Sequence, residues 1–402
     1  MNNLNQQSTT LRIIIFSILV LCISGCSDPV TYDLILRGGT IVDGSGGESY
    51  HGDIALNGDE IAAIGVLTNS RALSEVDVTG LVVAPGFINI HSHARGQALP
   101  TAVNMISQGV TTEIMNSDGS SPVDLSAQFE GYRQKGLALN VGGFIGFNSV
   151  WAEVVGIENI RPTQAQISQM QSIIQSALEA GAWGVSAGLD YVPGYYATAE
   201  EIIEVLEPFA SWNVVFANHD RVTPESGYSS IVGMTETIII GEATGLIPLV
   251  THMKVQGWEQ GKAAEILEAM RVASTSNSEG AVADVYPYLA GQTSLAALII
   301  PSWAQSGGRD AMLERFRDSE LRARIIEEAE ESMDFRWGGA SGVFVGGQQE
   351  LTDIMNDMDT DSHGEAVISV LEESDNGVIL RFGSEEDLIE VILAHDVRDR
   401  AT

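Results

Sequence analysis

Cysteine is nearly missing from this 402-residue chain: Cys22 and Cys26 are the two, and both fall within the first 26 residues. The remainder therefore has no internal disulfide, no thiolate metal site and no thiol nucleophile. Lysine is almost as scarce, with Lys135, Lys254 and Lys262 alone. Against 54 Asp plus Glu there are 20 Lys plus Arg, a formal net charge of -34, which excludes a nucleic-acid partner. A surface so acidic stays hydrated where salt screens its self-repulsion, the pattern expected of a saline habitat.

Arg12 precedes an apolar run over 13–23 that is too short to cross a bilayer as a stable helix and reads as an export signal. Ile23-Ser24-Gly25-Cys26 resembles the lipobox of bacterial lipoproteins. That resemblance implies cleavage before Cys26, lipidation of Cys26 and, with Ser27 rather than Asp next to it, the outer membrane. The expectation is a signal segment over 1–26 and a periplasmic lipoprotein that meets the membrane through its lipid anchor only.

Apolar residues make up 44% of the chain, enough for a large core. Over 30–86 short runs at 33–37, 40–42, 53–56, 61–64 and 81–84 are separated by Gly38-Gly39, Asp43-Gly44, Asn57-Gly58 and Thr79-Gly80. These spacings predict a small β domain. From residue 87 onward apolar strands alternate with helical stretches at 163–180, 199–209, 235–244 and 262–273, the texture of a parallel α/β sheet or barrel. Candidate strands are 87–91, 111–116, 139–143, 184–186, 214–218, 248–252 and 281–286. Residues 309–333 read as charged, exposed helices. Beyond Trp337 loops and a short helical excursion are expected, then a helix over 385–394.

Nearly every chemically interesting side chain lies at the C-terminal end of one of those strands, the face on which barrel enzymes gather their catalytic groups. Ile88-Asn89-Ile90-His91-Ser92-His93 ends an apolar strand in His-x-His, and extended alternation puts both imidazoles on one face. His219 and His252 end two further apolar strands, so four imidazoles converge on one mouth, where zinc or another borderline divalent cation is the natural occupant. His51, His363 and His395 lack such placement and are expected to be solvated. Asp118, in the Ser117-Asp118-Gly119 turn beyond the second strand, is the candidate bridging anion between two metal ions.

Together Tyr32-Asp33-Leu34-Ile35-Leu36-Arg37-Gly38-Gly39, Gln108-Gly109-Val110-Thr111-Thr112, Gly181-Ala182-Trp183-Gly184-Val185-Ser186 and Asp284-Val285-Tyr286-Pro287-Tyr288 resemble the D-aminoacylases of the amidohydrolase superfamily. The match spans most of the chain in family order. It implies an α/β fold, a (β/α)8 TIM-type barrel with a small β-sandwich built from both chain ends. It also implies one or two zinc ions and hydrolysis of the amide of small N-acyl-D-amino acids. By motif, His91, His93, Asp118, His219 and His252 would hold metal. Lys254, Tyr286 and Tyr191 would contact substrate.

Two positions depart from the family pattern. Asp118 stands where many D-aminoacylases have a bridging cysteine, a harder ligand that could alter metal preference. A carbamylated lysine is not available on the fourth strand, because no lysine occurs between Lys135 and Lys254; this weighs against dihydroorotases and hydantoinases. The second departure concerns the aspartate that ends the eighth strand in the family and serves as general base. Asp399 is flanked by arginines, and the resemblance puts that aspartate beyond Thr402. The expectation is thus an incomplete barrel (87–402) with a partial β-sandwich (30–86), metal binding, and weak turnover by these residues alone. Rival readings are a hydrolase of another amide, such as a dipeptide or cyclic imide, a non-catalytic lipid-anchored binding protein, and a gene remnant. Oligomeric state is left open.

Overall fold

The computed structural model describes residues 31–276, 280–374, 377–381 and 383–394. The signal segment with Cys26, and Asp399 and His395, lie outside the described residues. Contacts divide the chain after Gly86.

The first unit is one mixed sheet of five strands. β1 (Thr31–Ile41) pairs antiparallel with β2 (Tyr50–Asn57) and parallel with β4 (Arg71–Asp77) and β5 (Val82–Val83), and β3 (Glu60–Gly65) flanks β2. Gly38-Gly39 does not break the first strand as its turn signal predicts. β1 runs through it with a register shift between Leu36 and Gly39, a bulge that the positive φ of Gly38 allows. β4 escapes sequence reading because most of its residues are exposed, so pairing with β1 rather than an alternating pattern makes it a strand.

In the second unit, the strands from Phe87 to Ala283 form two parallel sheets. β6 (Phe87–Ser92), β7 (Val110–Met115) and β8 (Asn140–Gly143) form one sheet. β9 (Ile145–Gly146), β10 (Gly184–Gly188), β11 (Val215–His219), β12 (Ile247–Val250) and β13 (Val282–Ala283) form the other. Only Phe144 separates β8 from β9, so the sheets continue one another as an arc of barrel strands. Ile114, Phe144, Ala217, Leu249 and Val282 pack together as one buried cluster drawn from β7, the β8–β9 junction, β11, β12 and β13. Outside the sheet, helices Phe147–Val154, Gln164–Glu179 and Ala199–Leu206 bury Trp151, Met170, Ile174 and Ile202 against Val185 and Phe216. Two of these helices start at capping boxes, Thr163 with Gln166 and Thr198 with Glu201, each of which satisfies orphan backbone N–H groups. The strand expected over 281–286 shrinks to two residues, because Asp284 turns its backbone to bond Val250 and Met253 at the strand end.

The stretch from residue 290 to 381 corrects the expectation of exposed helices followed by loops. It forms its own antiparallel sheet, ordered β14 (Ala290–Ser294), β17 (Gly377–Arg381), β15 (Val343–Val345), β16 (Gln349–Glu350). Helices Gly308–Arg317, Ser319–Trp337, Leu351–Met358 and His363–Glu373 share with it a core that includes Phe316, Ile325, Met333, Leu351 and Val367. His363, expected to be solvated, begins one of these helices with only 17% of its side chain exposed, and its Nε2 lies 3.4 Å from Asp334. No described helix is long and apolar enough to cross a membrane.

Candidate metal centre

Glu113 of β7, 1% exposed, fixes the end of β6. It accepts from the Ser92 hydroxyl and the Asn89 amide, so the alternating histidines on either side of Ser92 leave the strand together. His91 is mostly buried and His93 mostly exposed, and their Nε2 atoms are 3.2 Å apart.

Asp118 reaches the same point through a loop that a generic residue could not trace. Asn116 and Asp118 both have positive φ, and Gly119, at φ +76, sits where a Cβ would meet Asn148 Oδ1 at 2.2 Å and the Gly188 nitrogen at 2.8 Å. The Gly119 N–H donates to Ser186 Oγ, which in turn donates to the Asn116 carbonyl, and Asn148 bonds both Gly188 and Tyr191. The carboxylate so placed lies between two pairs of imidazoles. Its oxygens are 3.5 Å from His91 Nε2, 3.2 Å from His93 Nε2, 3.8 Å from His219 Nδ1 and 3.7 Å from His252 Nε2.

His219 ends β11, and its Nδ1 is 2.8 Å from Nε2 of His252, just beyond β12. His252 holds φ +36, a conformation maintained by its N–H donating to Asp284 Oδ1 at 2.6 Å and by Thr251 donating to the Asn218 carbonyl. Lys254 Nζ is 2.6 Å from His252 Nδ1. The Tyr191 ring stands 4.5 Å from that of His219, its hydroxyl accepting from Thr293, and the Tyr286 ring 6.3 Å from His252. All eight residues singled out from the sequence outside the leader line one cavity of about 550 Å³, whose other walls include Tyr288, Leu298, Trp337, Ile379 and Leu380.

Burial and mutual charge set protonation here. Burial acts to strip the His91 proton, but Asp118 and Asp284 outweigh it and push the imidazole up to about 10. Burial would raise Asp118, yet His252, His91 and His93 hold it well below the usual carboxylate range. Burial keeps His219 well below its ordinary value, and burial together with the Lys254 charge brings His252 down to about 4. Lys254 is lowered by burial, and Tyr191 and Tyr286 are raised, first by burial and then by Asp118. Two neutral imidazoles and a carboxylate that keeps its charge are what a borderline divalent cation requires. Buried Asp118 Oδ1 has no hydrogen-bond partner, and ligand atoms of His91, Asp118 and His252 all lie within 4.8 Å of one another.

Four charged residues not singled out from the sequence also belong here. Asp284 Oδ2 is 3.5 Å from His91 Nδ1, and Asp190 Oδ2 is 3.9 Å from His219 Nε2 and 2.6 Å from Arg336 Nη2. Asp220 is 2% exposed, its Oδ2 unpartnered, and burial lifts it to about 6. Asp220 and Asp284 were within reach of sequence reading, one next to His219 and the other heading the Asp284-Val285-Tyr286 motif. Asp190 and Arg336 are 146 residues apart.

No protein-family model matches the chain. A D-aminoacylase of Alcaligenes xylosoxydans xylosoxydans is 34% identical over 295 residues, 67% of this chain and 60% of that protein. The N-acyl-D-aspartate deacylase of the same organism is 30% identical over 66% of this chain and 58% of its own length. The chain thus spans about three fifths of the curated relatives it matches. Crystal structures of a D-aminoacylase, described as defining a subset of amidohydrolases and as having a binuclear metal centre, superpose with a TM-score of 0.70 at 26% identity, covering 90% of this chain and 74% of theirs. Likeness in sequence over two thirds of the chain and in fold over nine tenths agree: the chain belongs to the amidohydrolase superfamily, as a relative of the D-aminoacylases.

Proposed function

We propose that this protein is a metal-dependent hydrolase of linear amides that removes the acyl group from N-acyl-D-amino acids. The observation that carries the proposal is the convergence of His91, His93, His219 and His252 on Asp118 within a cavity that also presents Lys254. These five residues would hold one or two divalent ions, zinc being the natural choice for imidazole and carboxylate. A cation held there polarises an amide carbonyl and acidifies water at neutral pH.

The chain's own residues do the rest. Asp118, between the imidazole pairs, would supply negative charge to a cation held there. Of the two cations among the described residues that line the cavity, Arg336 is paired with Asp190, and Lys254, beside His252, is placed to take a substrate carboxylate. Tyr191 and Tyr286 keep their hydroxyl protons and so act as donors, Tyr191 bracing the wall through Thr293. The apolar wall of Leu298, Trp337, Ile379 and Leu380 accommodates an acyl or side-chain hydrocarbon. Asp118 is the one carboxylate among the described residues that line the cavity, and Asp284 lies behind it against His91. Metal content by elemental analysis, and hydrolysis of N-acyl-D, N-acyl-L and cyclic imide substrates with added zinc, test the reading. Stoichiometric metal with a preference for the D-series supports it, preference for cyclic imides redirects it to another amide, and tight ligand binding without turnover makes the protein a binding module.

The same proposal includes export and anchoring through Cys26, supported by the lipobox resemblance. Mass spectrometry of the N-terminal peptide checks it: an unlipidated Cys26 in membrane-fractionated protein rejects the anchor.

A further inference from the structure

We propose that Asp190 and Arg336 form a positioning pair that orients His219 for metal binding, tying the 290–381 segment to the metal centre. The inference rests on the metal-centre reading above. His219 turns Nδ1 toward His252 and Asp118, which leaves Nε2 facing Asp190 Oδ2 at 3.9 Å. A ligating imidazole needs its hydrogen on the nitrogen that does not bind, and a carboxylate facing that nitrogen selects the tautomer. At this separation Asp190 acts through charge: it favours the hydrogen on Nε2 and so leaves the Nδ1 lone pair directed at the cavity.

Asp190 is itself firmly placed. Oδ1 accepts from the Val222 N–H at 3.2 Å, and Oδ2 accepts from Arg336 Nη2 at 2.6 Å, both side chains being 3% exposed. Arg336 comes from the last turn of helix Ser319–Trp337, on the other side of the cavity wall, where its guanidinium lies 4.7 Å from the Trp337 ring. It lines both the metal cavity and a neighbouring cavity of about 470 Å³, as Leu298 also does, so the ion pair is part of the partition between them. A merely structural pair would hold the helix down. This pair has its carboxylate aimed at the free nitrogen of a ligand, and moving the helix moves that carboxylate.

The test uses the full chain, stripped of metal and titrated with zinc against a chromophoric chelator, with the visible spectrum of the cobalt-substituted protein as second readout. Asp190→Asn and Arg336→Met are each expected to weaken zinc binding by about 10- to 100-fold and to shift the cobalt bands. The double variant is expected to lose no more than the worse single, since the pair acts as one unit. Arg322→Met, which breaks the ion pairs of the same helix with Glu365 and Glu372, should leave zinc affinity within about twofold while lowering stability. Either single change leaves a buried charge unpaired and can prevent folding. The double variant removes both charges and keeps the question open to measurement. A folded double variant that binds zinc as the parent does, with an unchanged cobalt spectrum, overturns the positioning role. A parent chain that takes up no zinc overturns the metal reading, and this inference with it.

Discussion

Asp220 is the residue whose replacement should stabilise the protein while impairing the site. Its carboxyl is 2% exposed, Oδ2 has no partner, and burial raises its pKa from 3.8 to about 6. A shift of that size corresponds to about 3 kcal/mol. The folded state holds the proton more tightly than the unfolded chain does. The carboxyl therefore costs nothing below about pH 3.8, and stability falls as pH rises through about 6, where the charged form must stay buried. At pH 7 the whole penalty applies. Asp220→Asn keeps the shape and cannot ionise, so at pH 7 the metal-depleted variant should be more stable by about 2–3 kcal/mol, a rise in melting temperature on the order of 2–4 °C for a chain of this size. At pH 3.5 the two proteins should melt together. Asp220 is also the largest charge favouring protonation of Lys254, so the same substitution should weaken binding of carboxylate-bearing substrates. Thermal unfolding of both proteins across pH 3.5–8 decides the matter. An advantage that is absent, or equal at both ends of the range, refutes the reasoning.

Removing the central anion should release His91. A carboxylate 3.5 Å away contributes about 4–5 kcal/mol at an effective dielectric of about 20, so Asp118→Asn is expected to bring the His91 titration, read by NMR of metal-depleted protein, from about 10 down by roughly 3 units and to abolish retained zinc. Lys254→Met should raise KM, or the dissociation constant, for N-acyl-D-amino acids far more than for their carboxamides; equal loss on both would remove the carboxylate role. Gly119→Ala forces a Cβ into Asn148 and the Gly188 backbone at φ +76, and should cost about 2–3 kcal/mol by denaturant unfolding while lowering zinc affinity through displacement of Asp118.

The residues proposed as metal ligands, and their convergence on one cavity, were legible because each announces itself locally. An extended chain returns to the same face every two residues, which suffices for His91 and His93. His219 and His252 terminate apolar runs that could only be buried strands, and the turn chemistry of Ser117-Asp118-Gly119 marks a loop at the same face. Parallel order was legible for the same reason, since helical stretches alternate with those strands. Strand β4 was not, because its exposed residues carry no alternation, and β13 was overdrawn because the apolar texture of 281–286 does not reveal that Asp284 turns back to bond its neighbours. Local pattern reports what an element is, and long-range pairing reports where it stops.

The same distinction explains the partners of the ligands. Each of three imidazoles uses one nitrogen toward Asp118 and presents the other to a charged group: His91 to Asp284, His252 to Lys254, His219 to Asp190. Lys254 was found from its motif and Asp284 stands at the head of one, whereas Asp190 depends on contacts across the fold. Arg336 nevertheless left a trace. In helix Ser319–Trp337 the buried positions Ile325, Ala329, Ser332, Met333 and Arg336 follow helical spacing, while the many acidic residues between them occupy the other face and dominate a reading by charge. An arginine that continues an apolar stripe either reaches out to water or is buried, and burying it unpaired is prohibitive. Arg336 is buried, so it needs an anion opposite that stripe. The structure supplies Asp190, whose pairing with Arg336 ties this helix to the wall of the histidine-lined cavity.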